Sequence, residues 1–337
     1  MLAEWERQRA VQLTWPHCNS DWADMLPAVE RVYREMARQI ASREQLIVVA
    51  DPCCQLPEKL KADVCRIATN DTWARDHAFL TVDEDGRRLL LDFCFNGWGE
   101  KFPAEKDNAI NRQLYHQLLS PDDNLLWGEY ESHLDFVLEG GSIESDGQGT
   151  IFTTQHCLMA PHRNQPLERI EIEMRLKQWL GAERVVWLQN GYLEGDDTDG
   201  HIDTLVRVAP NNTLLYIAPP ASSDPHHDAL CALEQELRRL ETLQGEPYRL
   251  LALPLPRPIC DVGDGSGGNS QRLPATYANY LVINDAVLVP TYGQPDLDAQ
   301  AMLIISEAFP DREMVGIDCC PLIHQHGSLH CSTMQYY

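Results

Sequence analysis

The order of apolar and turn residues predicts an α/β fold built from one repeated unit, strand–strand–helix–strand, closed into a radial array. Three observations carry this. The same order of elements recurs from near Asp76, Leu138, His201 and Asn279, a period of roughly 60–80 residues. Unusual polar residues cluster where the recurrences begin. The segments left over at the two chain ends would supply a fifth unit if joined, and closure would hide the sheet edges.

Each element follows from local pattern. Within residues 21–43, Leu26, Val29, Val32, Met36 and Ile40 share one helical face, and Leu46–Val49 follows as a strand. Ala78–Val82 and Arg88–Phe93 flank the turn Asp83-Glu84-Asp85-Gly86, with a helix and a last strand expected within Lys106–Phe136. Gly141–Glu144 and Thr150–Thr153 flank Asp146-Gly147, followed by a helix over Leu167–Leu180 that stops at Gly181 and a strand over Arg184–Leu188. His201–Val208 alternates as a strand does, and Pro210-Asn211-Asn212 turns the chain into Leu214–Ala218. Asp224-Pro225 opens a segment in which Leu230, Leu233, Leu237 and Leu240 recur at helical spacing. Gly245 and the strand Tyr248–Leu253 follow. In the next unit Tyr280–Ile283 and Val287–Val289 flank Asn284-Asp285. A helix over Asp298–Phe309 and a strand over Met314–Ile317 complete it. The chain after Gly327 is strand-like.

Composition bounds the function. Apolar residues are 44% and charged residues 23% of 337, a globular balance rather than a disordered one. Such a length suits one large fold or about two domains; the repeat pattern favours a single domain over residues 1–337. No apolar run approaches the ~20 residues of a membrane span. The start, Met1-Leu2-Ala3-Glu4-Trp5-Glu6, lacks the basic and apolar stretches of a signal peptide, so a cytoplasmic protein is expected. Lys and Arg number 27 and Asp and Glu 51, a net charge of −24. That field repels phosphate backbones and attracts small cations. The eleven cysteines include no Cys-x-x-Cys pair, and Cys53-Cys54 and Cys319-Cys320 are adjacent; reduced thiols are expected rather than a disulfide framework or a zinc ribbon.

The unit starts hold the candidate chemistry. They read Asn70-Asp71-Thr72-Trp73-Ala74-Arg75-Asp76; Leu138-Glu139-Gly140-Gly141-Ser142; Gly195 to Asp203, with Gly200-His201-Ile202-Asp203 at its end; and His326-Gly327-Ser328-Leu329-His330-Cys331. In a radial array equivalent strand starts converge on one end of the axis. Taken singly, Asp76 could pair with Arg75, Glu139 could be a solvated strand end, and Asp196–Asp203 an acidic loop. Together they bring carboxylates, an imidazole and a thiol to one place. On a strand, His201 and Asp203 would share a face. A carboxylate beside an imidazole favours its protonated form, suited to acid–base work. Cys331 is the thiol candidate, activated by a nearby cation, which a cationic substrate can supply. Planar nitrogen cations bind carboxylates through paired hydrogen bonds, so Asp76 and Asp203 fit as their partners. The set suits attack on a guanidinium carbon better than hydrolysis of a neutral amide.

These residues, with Phe95-Asn96-Gly97-Trp98-Gly99, Asp146-Gly147-Gln148-Gly149-Thr150, Ala3-Glu4-Trp5-Glu6 and Thr14-Trp15-Pro16, span nearly the whole chain. In them the sequence resembles the agmatine deiminase and bacterial peptidyl-arginine deiminase family of guanidino-group-modifying enzymes. The resemblance implies a five-bladed, pseudo-symmetric α/β propeller of ββαβ units. It implies Cys331 as nucleophile, His201 as general acid and base, Asp76 and Asp203 as guanidinium binders, and Glu139 holding the imidazole or a substrate nitrogen. It implies no metal and no organic cofactor. The reaction implied converts agmatine to N-carbamoylputrescine and ammonia through a covalent thiouronium on Cys331. Deimination of peptidyl or C-terminal arginine, amidino transfer, dimethylarginine hydrolysis and a silent guanidino-binding propeller are the competing readings. The expected partner is a small cationic guanidino substrate, with neither nucleic acid nor membrane; a homodimer is compatible with the sequence and not specified by it.

The chain departs from the family pattern at His77-Ala78, where a Gly-Pro-like continuation is usual, and at His324-Gln325-His326-Gly327-Ser328, where a Gly-rich run is usual. These departures bear on recognition of the substrate's far end, where Trp73 and Trp98 are candidates to line an aliphatic chain. Gly263-Asp264-Gly265-Ser266-Gly267-Gly268 fits Gly-x-Gly-x-x-Gly, but Pro254, Pro256 and Pro258 precede it and Pro274 follows. No helix starts there, and a loop or lid is expected instead of a nucleotide site. Asp197, Asp199 and Gly200 resemble the middle of a calcium loop whose first and last positions would be Gly195 and Val206, which do not ligate as that motif requires.

Overall fold

The computed structural model describes residues 1–119, 127–261 and 271–337. The Gly-rich stretch 263–268 lies outside the described residues. In chain order the elements begin with β1 (Ala10–Trp15), α1 (Leu26–Ala41), β2 (Gln45–Ala50) and β3 (Asp63–Arg66). Next come α2 (Ala74–His77), β4 (Leu80–Glu84), β5 (Arg87–Cys94), the short turn α3 (Gly97–Glu100), α4 (Ile110–Leu114) and β6 (Glu129–Val137). The following unit is β7 (Ile143–Ser145), β8 (Thr150–Thr154), α5 (Gln155–Leu158), α6 (Arg169–Leu180) and β9 (Arg184–Leu188). Then come β10 (Val206–Ala209), β11 (Thr213–Ile217), α7 (His227–Leu237) and β12 (Arg249–Leu253), and the short pair β13 (Cys260–Asp261) and β14 (Gln271–Arg272). The chain ends with β15 (Leu281–Ile283), β16 (Ala286–Thr291), α8 (Pro295–Ala308), β17 (Glu313–Asp318) and β18 (Thr333–Tyr336).

Among the described residues these strands form five principal sheets. Four have the same plan: an antiparallel hairpin whose second strand pairs in parallel with a third, across a helical connection. They are β4–β5–β6, β7–β8–β9, β10–β11–β12 and β15–β16–β17. The fifth is made by both chain ends. In it β18 runs antiparallel to β1, and β1 runs parallel to β2, as the expected joining of termini requires. An additional strand, β3, extends this sheet beyond the expected three.

Local chemistry accounts for the elements. Helix α1 starts with Pro27 in its first turn and buries Val29, Val32, Tyr33, Met36 and Ile40, the recurrence of a helix with one apolar face. Glu168 and Glu171 form a reciprocal cap at the start of α6, which ends where Gly181 takes φ 65°. Asn211 and Asn212, at φ 58° and 54°, make the tight turn between β10 and β11, with both central residues left-handed. The middle strands β1, β8 and β11 are buried along their whole length, as strands covered on both faces are.

One expectation is corrected. The alternation from His201 to Val208 does not make a strand from its beginning. Ile202–Thr204 form a single 3-10 turn, and β10 starts only at Val206. Thr204 donates its hydroxyl to the His201 carbonyl, 2.8 Å, and so closes the turn on itself. The region around Gly141 does likewise: Gly140–Ser142 is a short turn and β7 begins at Ile143.

Tyr336 ties the two ends of the chain together. Its ring is 1% exposed, and its hydroxyl donates to Gln12 Oε1 of β1 at 2.6 Å. Tyr336→Phe is expected to cost about 1 kcal/mol, and Tyr336→Ala on the order of 3–5 kcal/mol. Urea-unfolding midpoints at unchanged slope measure both.

Candidate active site

Five short polar segments reach the same place, each just ahead of the first hairpin strand of its unit, or of β18 in the fifth. Asp76 lies on α2 before β4. Glu139 precedes the turn before β7. His201 and Asp203 flank Ile202 before β10. Asn279 stands two residues before β15, and Cys331 two before β18. All six are buried: Glu139, Asp203 and Asn279 are 0% exposed, His201 1%, Asp76 4% and Cys331 6%.

Gly141 sits at the centre. A Cβ there would come 2.7 Å from His201 Nδ1, 2.9 Å from Asp76 Oδ1 and 3.2 Å from Asp203 Oδ2. Its lack of a side chain therefore lets an imidazole and two carboxylates approach one another. Its N–H donates to Asp76 Oδ1 at 3.0 Å, and Trp98 Nε1–H donates to Asp76 Oδ2 at 2.9 Å. Arg75 does not pair with Asp76; it turns to Glu4 at 3.3 Å and to Gln335. His201 Nδ1 is 3.6 Å from Asp76 Oδ1. Asp203 Oδ2 accepts from His330 Nδ1 at 2.7 Å and from Asn279 Nδ2 at 3.2 Å. The thiol of Cys331 stands 3.8 Å from that same oxygen, with Asn279 Nδ2 3.3 Å and Oδ1 3.4 Å from Sγ.

Glu139, expected to hold the imidazole or a substrate nitrogen, is itself held by an arginine. Its Oε1 pairs with Arg163 Nε at 3.0 Å, both side chains fully buried. Arg163 in turn donates to Asp199 at 2.7 Å, which also takes Lys101 at 2.8 Å. This network accounts for Asp199 in the acidic loop. Asp196 is the loop's own cap, accepting from Thr198 and Gly200. Three buried polar groups at the centre have atoms without a hydrogen-bond partner among the described residues: Glu139 Oε2, Asp203 Oδ1 and both ring nitrogens of His201. The two carboxylate oxygens are left available to a ligand rich in N–H groups.

The electrostatics follow from burial and neighbours. Burial pulls the His201 imidazole toward neutrality, but Asp76, Cys157 and Glu139 outweigh it and raise its pKa well above the ordinary value. Burial raises the Asp76 carboxyl, opposed by His201. Asp203 is held below the ordinary carboxylate range because the hydrogen bond and charge of His330 overcome its burial. The Cys331 thiol is pushed well above its usual value, by burial first and then by Asp203 and Asp76. A cation seated between these carboxylates would cancel the second cause and favour the thiolate.

The site opens to a cavity of about 230 Å³. Trp73 and Trp98 line it with Phe102, Asp76 and Cys331. So do three carboxylates that sequence reasoning passed over as site residues: Asp21, Asp71 and Asp197. Asp71 accepts from Trp22 and Trp73 Nε1, each at 3.0 Å, and burial together with the charge of Asp21 pushes it up to about 6. Gly327 lies against the Trp73 ring, where a Cβ would come within 2.3 Å. His326 Nδ1 is 2.6 Å from the Gly195 carbonyl and 3.8 Å from Asp197.

Among the described residues, three side-chain clusters place possible metal-ligand atoms close together: His17, Asp51 and Cys53; Glu139, Cys157 and His201; Glu4, Glu144 and His330. In the second and third, a guanidinium already neutralises the carboxylates, Arg163 on Glu139 and Arg207 on Glu4 and Glu144. In the first, His17 is engaged through both ring nitrogens, with Thr69 and Asn19. All eleven cysteines are free thiols. Among the described residues no helix is long and apolar enough to cross a membrane.

Asn279, Arg163 and Glu4 are the functional neighbours that sequence reasoning missed. For Asn279 the signal was present, since it opens the fourth unit as Asp76, Glu139 and His201 open theirs.

Known proteins are similar to this chain along nearly its whole length. A candidate arginine deiminase from Porphyromonas gingivalis is 47% identical, with 99% of this chain and 97% of that one covered and a TM-score of 0.89. A Cys-to-Ser variant of the C. jejuni agmatine deiminase with substrate bound is 33% identical over 99% and 95% of the two chains, TM-score 0.88. The agmatine deiminase of Pseudomonas aeruginosa (strain LESB58) is 30% identical over 99% of this chain and 94% of its own. Fold and site together define a hydrolase of the deiminase class, acting on C–N bonds. The chain belongs to the Porphyromonas-type peptidyl-arginine deiminase family, whose profile matches residues 1–336.

Gly141→Ala is expected to leave the fold intact, because its backbone is not left-handed, while driving His201, Asp76 and Asp203 apart. A displacement of that size is expected to lower kcat/KM by about a hundredfold, read by steady-state ammonia release beside an unchanged unfolding temperature.

Proposed function

We propose that this protein hydrolyses agmatine to N-carbamoylputrescine and ammonia. The observation that carries the choice of substrate is the lining of the cavity. It combines the thiol and Asp76 with Asp21, Asp71 and Asp197, and holds no Lys or Arg among its described residues. Agmatine carries a guanidinium and an ammonium, and the two sets of carboxylates suit its two charges. Free arginine or a C-terminal arginine would bring a carboxylate into the same acidic lining, with no guanidinium or ammonium to receive it. Trp73, Trp98 and Phe102 offer apolar surface to the methylene chain between the charges.

In this reading Asp76 and Asp203 bind the planar guanidinium and hold its carbon beside Cys331. The bound charge stabilises the thiolate: the thiol proton is lost to water as the substrate seats, and the thiolate attacks that carbon. His201, held protonated by Asp76 and Glu139, donates a proton to the leaving nitrogen, and ammonia departs. The S-alkylthiouronium left on Cys331 is attacked by water, whose proton His201 accepts. The tetrahedral adduct collapses to the ureido product and frees the thiol. Glu139, fixed on Arg163, keeps one oxygen available to the imidazole or to a substrate nitrogen.

The five sheets are read as blades around one axis, in a single domain over residues 1–337. Support comes from the five equivalent unit starts, which supply Asp76, Glu139, His201 and Asp203, Asn279 and Cys331 to one buried cluster. A ring of five units brings such positions together with no further requirement.

The test compares ammonia release and ureido-product formation with agmatine, free arginine and a short arginine peptide. Turnover of agmatine well above the other two, abolished in Cys331→Ala at unchanged fold, is the expected result. Preference for the peptide would transfer the reading to peptidyl arginine, and undiminished activity in Cys331→Ala would refute the covalent route.

A further inference from the structure

We propose that the N-terminal segment is part of the catalytic apparatus: Glu4, acting through His330, is a positioning residue that holds Asp203 aimed at the substrate. This rests on the reading of Asp203 as a guanidinium anchor.

The geometry is a continuous line of buried groups. Glu4 Oε1 lies 2.6 Å from His330 Nε2, and His330 Nδ1 lies 2.7 Å from Asp203 Oδ2. His330 is thus bracketed by carboxylate oxygens at both nitrogens, within donor distance of each. These two contacts fix the plane and rotation of the ring and turn Nδ1 toward Asp203. Arginines hold Glu4 in turn: Arg207 reaches Glu4 Oε2 and Glu144 Oε1 at 2.5 Å each, and Arg75 reaches Glu4 Oε1 at 3.3 Å. Arg207 Nη2 is also 3.1 Å from His330 Nε2, so Glu4 and Arg207 together hold that edge of the ring.

The consequence is felt at the reacting centre. His330 and Asn279 occupy Asp203 Oδ2, which leaves Oδ1 buried without a partner among the described residues. Asp203 is thereby oriented: one oxygen is anchored behind, the other is kept for the guanidinium. Removal of the Glu4 charge would leave the Nε2 edge of His330 to Arg207 alone, the ring would no longer be held from behind, and Asp203 would lose its fixed donor. The segment that carries Glu4 is itself pinned to the fold. Gln8 Nε2 donates to the carbonyls of Glu4 and Val282, each at 2.8 Å, and Ala3 packs against Gly147.

The experiment measures agmatine binding by calorimetry in the Cys331→Ala background, where turnover is removed. Adding Glu4→Gln, which keeps shape and deletes charge, is expected to weaken binding at least about tenfold. In the protein with Cys331 intact, the same substitution is expected to raise KM more than it lowers kcat. His330→Gln retains a donor toward Asp203 but cannot bridge to Glu4, and gives the same comparison if Glu4→Gln does not fold. Asp203→Asn is the control for the underlying reading. If Asp203→Asn loses binding while folded Glu4→Gln and His330→Gln keep it, the positioning role is overturned and the reading of Asp203 stands. If Asp203→Asn itself binds agmatine normally, the reading of the site fails and the inference fails with it.

Discussion

Burying several carboxylates within touching distance of one another is unfavourable unless each has a cation or a set of donors. Asp76, Glu139 and Asp203 gather around Gly141 with almost no contact with water. Their compensation is unequal. Glu139 is neutralised by Arg163, and Asp203 faces His330. Asp76 has only the donors of Trp98 and Gly141 and the imidazole of His201 at 3.6 Å. Among the described residues, Glu139 Oε2 and Asp203 Oδ1 remain without a partner. In the proposed reaction a planar cation with several N–H groups completes this arrangement, and substrate recognition and relief of buried charge become the same event.

The thiol depends on that event. Burial first, and then Asp203 and Asp76, raise the Cys331 thiol well above its usual range. In the proposed reaction a guanidinium seated between those carboxylates would offset their part of the shift and favour the thiolate.

The supports for these charges come from far along the chain. Arg163 lies between α5 and α6 of one unit, whereas Arg207 lies on β10 of the next and Glu4 precedes β1. Each unit contributes at least one of the proposed reacting or positioning groups just ahead of a strand, and the unit of β10 contributes two. The helical connections and the chain ends contribute the counter-charges. The site is therefore a property of the assembled units rather than of any single one.

Much of this was legible in residue order. Four units of strand, strand, helix and strand, the union of the chain ends in one sheet, and the polar unit starts at Asp76, Glu139, His201 with Asp203, and Cys331 follow from apolar spacing, turn residues and motif chemistry, because these are local properties. The same local reading erred at His201–Val208. Alternating polarity there reflects burial around a 3-10 turn, and pattern alone does not separate that turn from a strand. Assembly was needed for pairings between residues far apart in sequence: Glu139 with Arg163, Glu4 with His330 and Arg207, Asn279 with Cys331. Such contacts leave no periodic trace, since they depend on which units stand side by side. The acidity of the cavity wall at Asp21, Asp71 and Asp197 belongs to the same class. Each reads alone as an ordinary surface carboxylate, and only their convergence around one space makes them a receptor for positive charge.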